Sequence, residues 1–274
     1  MQLLRHREWE LLAAMTVHPN IVRFHGICYS EADRAVCFGL ELMDAGSLAD
    51  CLYSSDIAPG ASFTTEAAAK EAKEAARAAR PRMAEAAVGY LALSLGRGLS
   101  CLHQHRIVHR DLKPANVLLG KGGEVKISDF GVAKMLEDTC GQMDSQIGTA
   151  RYMSPERARG DPFSHASDIW SMGLVVGESA QHRHMLPPTH GFYEIFLLVA
   201  EGAPPELERT QHSAGMCAFV AACLEQAPAA RPTADALTTH AWLEERDEPG
   251  DAAGLRDWIH ATIAHDASVA ATPA

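Results

Sequence analysis

The loop His109-Arg110-Asp111-Leu112-Lys113-Pro114-Ala115-Asn116 sets a carboxylate, an ammonium and a carboxamide close together, and Asp129-Phe130-Gly131 adds a second carboxylate a short way downstream. A nucleotide's phosphates travel with Mg²⁺, which takes hard oxygen ligands, so Asn116 and Asp129 suit a metal ion. Asp111 has the chemistry to orient a hydroxyl and accept its proton, and Lys113 to neutralise charge on a phosphoryl group in transfer. Together these residue types point to phosphoryl transfer.

Such residues need a scaffold on both sides. Residues 88–104 carry an amphipathic helical pattern and lead through Ile107-Val108 into the charged loop. A strand Val117–Leu119, the turn Gly120–Gly123 and a strand Val125–Ser128 then form a hairpin that delivers Asp129. Upstream, residues 1–16 read as an amphipathic helix ending before His18-Pro19-Asn20, followed by strands Ile21–Cys28 and Ala35–Met43. Asp44-Ala45-Gly46-Ser47 reads as a turn, with Ser47 capping a short helix. Downstream of Pro155 the pattern is helical, with apolar clusters at Ile169–Val176, Phe192–Ala200 and Met216–Leu224. From residue 247 on the chain is polar and alanine-rich, which reads as a tail.

Residues 54–87 interrupt this order. Glu66-Ala67-Ala68-Ala69-Lys70 opens an alanine-rich run of high helix propensity without an apolar stripe, so residues 54–87 read as an inserted, solvated helix and residues 56–82 as removable. Lys70, Lys73, Arg77 and Arg80 fall on one face of that helix, a solvated basic face.

Composition narrows the class. In 274 residues, 47% hydrophobic and 22% charged, the balance is that of a folded globular chain. Acidic residues outnumber lysine plus arginine by 35 to 24, which argues against a nucleic-acid partner. The longest apolar stretch, near Ile195–Ala200, is too short to span a membrane, so the expected setting is cytoplasmic with no membrane partner. Seven cysteines without a C-x-x-C pair read as reduced thiols, Cys140 included. Among the 14 histidines, His103, His105, His182, His184 and His190 read as surface side chains rather than metal ligands.

The pairing of H-R-D-L-x-x-x-N with D-F-G resembles the signature of eukaryotic-type serine/threonine protein kinases. Gly148–Glu156 is similar to the end of their activation segment, Asp168–Gly173 to the central helix of the large lobe, and Arg231-Pro232-Thr233 to a late arginine motif. Around Asp129–Val132, Ser145 and Tyr152–Glu156 the likeness is greatest to MAP kinase kinases and their upstream kinases.

This resemblance implies an α+β protein-kinase fold. It divides the chain into a residual small lobe over 1–43, a large catalytic lobe over 44–247 and a tail over 248–274. It implies ATP and Mg²⁺ as cofactors, a protein substrate and an upstream activating kinase. Backbone groups of Glu41 and Met43 would face adenine, with Leu118 as the floor of that pocket. Asp168 would hold the catalytic loop, Glu156 and Arg231 would form a buried ion pair, and Arg110 would reach a phosphate on Ser145. Lys113 and Thr149 point to serine/threonine specificity. Glu8 would be the glutamate of the first helix, placing Leu12 in a hydrophobic column through Phe130 to His109.

The family's Gly-rich loop and V-A-I-K lysine do not occur, and the first lysine is Lys70. Two readings follow: a fragment of a longer kinase, with low activity as written, or a non-catalytic kinase-like interaction or scaffold module.

Overall fold

The computed structural model describes residues 17–31, 34–53, 79–129, 150–187, 192–244 and 248–270. Strand β1 (Phe24–Ser30) pairs antiparallel with β2 (Ala35–Leu40), with a register irregularity between Phe24 and Gly26. Side chains alternate in a strand. Gly26, Cys28, Ser30, Ala35, Cys37 and Gly39 therefore share one face, and Ile27, Tyr29, Val36 and Phe38 the other. Ile27, Tyr29 and Val36 remain exposed. The first strand begins later than its apolar run suggests, because Ile21 and Val22 serve another sheet. Ile21 bridges Ile127, and Val22 N–H donates to the Ile127 carbonyl at 2.9 Å.

Helix α1 (Leu48–Tyr53) starts with reciprocal capping: Asp50 N–H donates to Ser47 Oγ at 3.2 Å, and Ser47 N–H donates to Asp50 Oδ2 at 2.9 Å. Helix α2 (Glu85–Gln104) is the core element, burying Ala87, Val88, Leu91, Leu95, Leu99 and Leu102. A Cβ on Gly98 would come within 2.9 Å of both the Asn20 carbonyl and Ile127 Cδ1, so the missing side chain lets the His18–Asn20 loop lie against the helix. After a single 3₁₀ turn at Pro114–Asn116 come β3 (Val117–Leu119) and β4 (Val125–Ile127), an antiparallel hairpin.

The rest is helical. α3 (Pro155–Ala158) precedes α4 (His165–Gln181), which is capped by Ser164 and Ser167 and buried over most of its length. α6 (Ala214–Cys223) packs on α4, α5 (Phe192–Glu201) on α3, α7 (Ala234–Thr238) on α2, and α8 (Ala241–Glu244) on both α2 and α6, with Ser213 and Thr233 capping α6 and α7. The last helix is α9 (Glu248–Ala270).

Three expectations change. The segment read as a tail is α9, which buries Leu255, Trp258 and Ile259 in the main core. Its alanine and glycine content masks the apolar side, because small residues carry little hydrophobic contrast.

The insertion ends earlier than residue 87. Ala87 and Val88 belong to the core, and the chain is already anchored at Arg80, whose Nη1 donates to the Cys51 carbonyl at 2.5 Å and whose Nη2 pairs with Asp266. Arg80 is therefore buried and not part of a solvated basic face; Lys70, Lys73 and Arg77 lie outside the described residues.

The third change is at His182. It is buried, holds the left-handed position after α4 with φ 54°, and accepts the Met83 N–H on Nε2 at 2.8 Å. Glycine is the usual residue at that position; here the ring repays the backbone strain with a hydrogen bond to the returning chain.

Candidate active site

Asp111, Lys113 and Asn116 converge. Lys113 Nζ donates to Asp111 Oδ2 at 2.9 Å, while Asn116 Nδ2 donates to the Asp111 carbonyl at 2.7 Å and to its Oδ2 at 3.2 Å. The 3₁₀ turn after Lys113, with Pro114 at its start, folds the loop back far enough for Asn116 to reach Asp111. Asp129 joins the group through the backbone: Ser128 N–H donates to the Asn116 carbonyl at 2.9 Å, and Asp129 is the next residue, exposed and left-handed at φ 56°. Arg110 is left-handed too, at φ 72°, so the strained backbone brackets the same loop.

His109 links the two halves. It is buried, and Asp111 N–H donates to its Nδ1 at 3.2 Å; a nitrogen that accepts an N–H carries no proton, so the proton sits on Nε2, which donates to the Ser128 carbonyl at 2.8 Å. Burial lowers the pKa of this ring below the ordinary histidine value, against the pull of Asp168. The neutral ring thus joins the loop of Asp111 to the strand end that presents Asp129.

Asp168, at the start of α4, is buried and accepts the N–H groups of His109 at 2.8 Å and Arg110 at 3.0 Å. His103 Nε2 lies 2.8 Å from its Oδ2, and the His103 ring stacks on His165 with centroids 4.3 Å apart. His103, read as a surface residue, is in place a positioning residue. The available signal was its place in the last turn of α2, directly upstream of the charged loop.

Glu156 and Arg231 form a buried bidentate pair, with both Nη to carboxylate distances at 2.8 Å. Arg231 also donates to the carbonyls of Glu225, Ala166 and Gln226, so all five of its N–H groups are used. Burial pushes the Glu156 carboxyl up, but the Arg231 guanidinium outweighs it and holds the pKa at about 2.

The strand end of β2 leads to Glu41 and Met43. Glu41 N–H donates to the Arg23 carbonyl at 2.8 Å, and its carboxylate receives Lys126 Nζ at 2.7 Å on both oxygens. Lys126 stands opposite Leu118 in the β3–β4 ladder. Leu119 N–H donates to Gly46 O at 2.9 Å, which ties the turn after Met43 to the strand of Leu118. Glu41, Met43 and Leu118 therefore border one region. Glu8, Phe130, Ser145 and Thr149 lie outside the described residues.

A family profile described as Protein kinase domain matches residues 3–243. The chain belongs to this protein kinase family. Mitogen-activated protein kinase kinase 3 of Arabidopsis thaliana is 34% identical over 242 residues, covering 88% of this chain and 42% of the relative. Mitogen-activated protein kinase kinase 2 of the same plant is 33% identical over 239 residues, with 85% and 58% covered. A dual specificity mitogen-activated protein kinase kinase of Drosophila melanogaster is 32% identical over 272 residues, with 89% and 61% covered. The kinase chain spans about half the length of the curated relatives it matches. Its fold is the α+β arrangement of that family, and no described helix is long and apolar enough to cross a membrane.

Proposed function

We infer that this kinase chain carries the catalytic loop of a serine/threonine protein kinase of the MAP kinase kinase type, acting on protein hydroxyls with ATP and Mg²⁺. The observation that carries this reading is the joining of Asp111, Lys113 and Asn116 to the strand end of Asp129 through neutral His109. The donor set fits a hard cation. Asn116 spends its NH₂ on Asp111, which leaves its amide oxygen for the metal beside the carboxylate of Asp129. Mg²⁺-ATP supplies the phosphoryl group and neutralises its charge. Asp111 accepts the hydroxyl proton, with Lys113 and Asn116 holding one carboxylate oxygen so that the other faces the substrate. Glu41 C=O and Met43 N–H, which make no hydrogen bond among the described residues, recognise adenine above Leu118.

Activation by an upstream kinase at Ser145 belongs to the same reading, and Thr149 with Lys113 goes with serine/threonine specificity. It is supported by two guanidiniums beside one ring: Arg110 lies 5.4 Å and Arg157 2.9 Å from the Phe163 centroid. Burial and then repulsion from Arg110 lower Arg157 to about 10, and a phosphate would relieve that repulsion. The free thiols of the described cysteines suit a reducing cytoplasmic setting.

The test separates binding from chemistry. In a form with measurable transfer, Asp111→Asn should abolish turnover and leave Mg²⁺-ATP affinity nearly unchanged, whereas Asp129→Ala should weaken both. Turnover by Asp111→Asn equal to that of the parent would overturn the assignment and favour a non-catalytic interaction module.

A further inference from the structure

Cys28 and Cys37 stand directly opposite each other in the β1–β2 ladder. Opposed residues of antiparallel strands point to the same face, with Cα atoms about 4.5–5.5 Å apart in either kind of pair, inside the roughly 4.4–6.8 Å span of a disulfide. Both are free and exposed, whereas Cys51 and Cys223 are buried and Cys101 and Cys217 half-buried. Their neighbours along the same face are Gly26, Ser30, Ala35 and Gly39, all small, so the two thiols lie in an open strip. Among the described residues a Cβ on Gly26 would meet nothing within 4 Å, in keeping with space beside Cys28.

We propose that Cys28 and Cys37 are a dithiol modification site, closed by exchange with a low-molecular-weight disulfide such as glutathione disulfide. One cysteine, as thiolate, attacks a sulfur of glutathione disulfide, forming a protein–glutathione disulfide and expelling one glutathione thiolate. The opposed cysteine then gives up its proton and attacks the protein-side sulfur. That forms the Cys28–Cys37 bond and expels the second glutathione. Two protein thiols are oxidised, one disulfide is reduced, and the two thiol protons end on two glutathione molecules.

The bond would tie β1 to β2 three residues before Leu40, where the strand hands over to Glu41. The base of the hairpin is already fastened there, with Arg23 N–H donating to Glu41 Oε2 at 3.1 Å and Glu41 N–H to Arg23 O. Oxidation therefore adds a covalent tie in mid-strand, at Cys37, to the strand that feeds the adenine-facing segment. Reduction by a dithiol reverses it.

The reduced full chain is treated with glutathione disulfide, quenched in acid, alkylated and mapped without reduction. The expected result is a peptide linking residue 28 to residue 37, two glutathione molecules released per bond, and no glutathione retained on either. Cys28→Ser should instead keep one glutathione on Cys37, and Cys37→Ser one on Cys28. Parent protein that carries glutathione on both residues unlinked, or that links either to a third cysteine, overturns the proposal.

Discussion

Replacing Glu156 by glutamine keeps the shape of the side chain and removes its charge. In the parent, both carboxylate oxygens receive an Arg231 Nη at 2.8 Å, and the exposures of the Arg231 and Glu156 side chains are 0% and 6%. Glutamine offers one oxygen; its NH₂ must then face a guanidinium donor, and Arg231 becomes a buried cation without a counter-charge. Breaking one side of such a pair costs about 3–5 kcal/mol. The acidity of Glu156 leads to a similar figure, since a fall from 4.5 to about 2 corresponds to about 3 kcal/mol of preference for the ionised form. At about 2–4 °C per kcal/mol, the melting temperature should drop by about 6–20 °C. Urea titration of Glu156→Gln, Arg231→Met and the double variant supplies the cycle, and the double variant should be less destabilised than the sum of the singles. A cost below about 1 kcal/mol for Glu156→Gln, or strict additivity, would refute the claim that this pair fastens α3 to the 225–231 segment.

Stability should fall in two acid steps. His109 is held below its ordinary value of 6.5 by burial, so the unfolded chain binds a proton first and stability declines as pH drops through 6.5; above that pH this group contributes no slope. Glu156 is depressed, so its contribution is full above 4.5 and is lost as pH falls toward about 2. Thermal melts across pH should show both, and Glu156→Gln should remove the lower one. Gly98→Ala should cost about 1–3 kcal/mol by denaturant midpoint, because the new Cβ would stand 2.9 Å from Asn20 O. Excising residues 56–78 should shift the melting point little, whereas excising 56–82 removes Arg80 with its bond to the Cys51 carbonyl and its pair with Asp266, a loss of about 2–4 kcal/mol. Equal stability of the two excisions would show that Arg80 does not anchor the returning chain.

The hairpin of Val117–Leu119 and Val125–Ile127 was legible because short apolar runs flank a glycine turn, and the cap at Ser47 because its partner is only three residues away. Asp111, Lys113 and Asn116 were legible for the same reason: one turn of chain brings them together. What stayed hidden depends on distant partners. Arg80 looks like one more cation in an alanine-rich run until Asp266 and the Cys51 carbonyl surround it. His103 and His182 carry no pattern that separates a surface imidazole from one wedged against Asp168 or the Met83 amide. The role of His109 as a polar link was concealed as well, since a family likeness suggested only its place in an apolar column.

Helix α9 alters where this molecule stops as a unit. The family profile ends at residue 243, yet Trp258 Nε1 donates to the Pro81 carbonyl at 2.9 Å, His260 Nε2 lies 3.1 Å from the Lys121 carbonyl, and a Cβ on Gly123 would be 2.8 Å from the Ala252 carbonyl. One helix therefore braces both the return of the inserted segment and the turn beneath Leu118. A boundary drawn at the edge of the profile would sever a brace rather than trim a linker, baring the apolar side of α2 and loosening the hairpin that presents Asp129. Expression designs, and comparisons of this kinase with its relatives, are better framed around a unit that runs through residue 270.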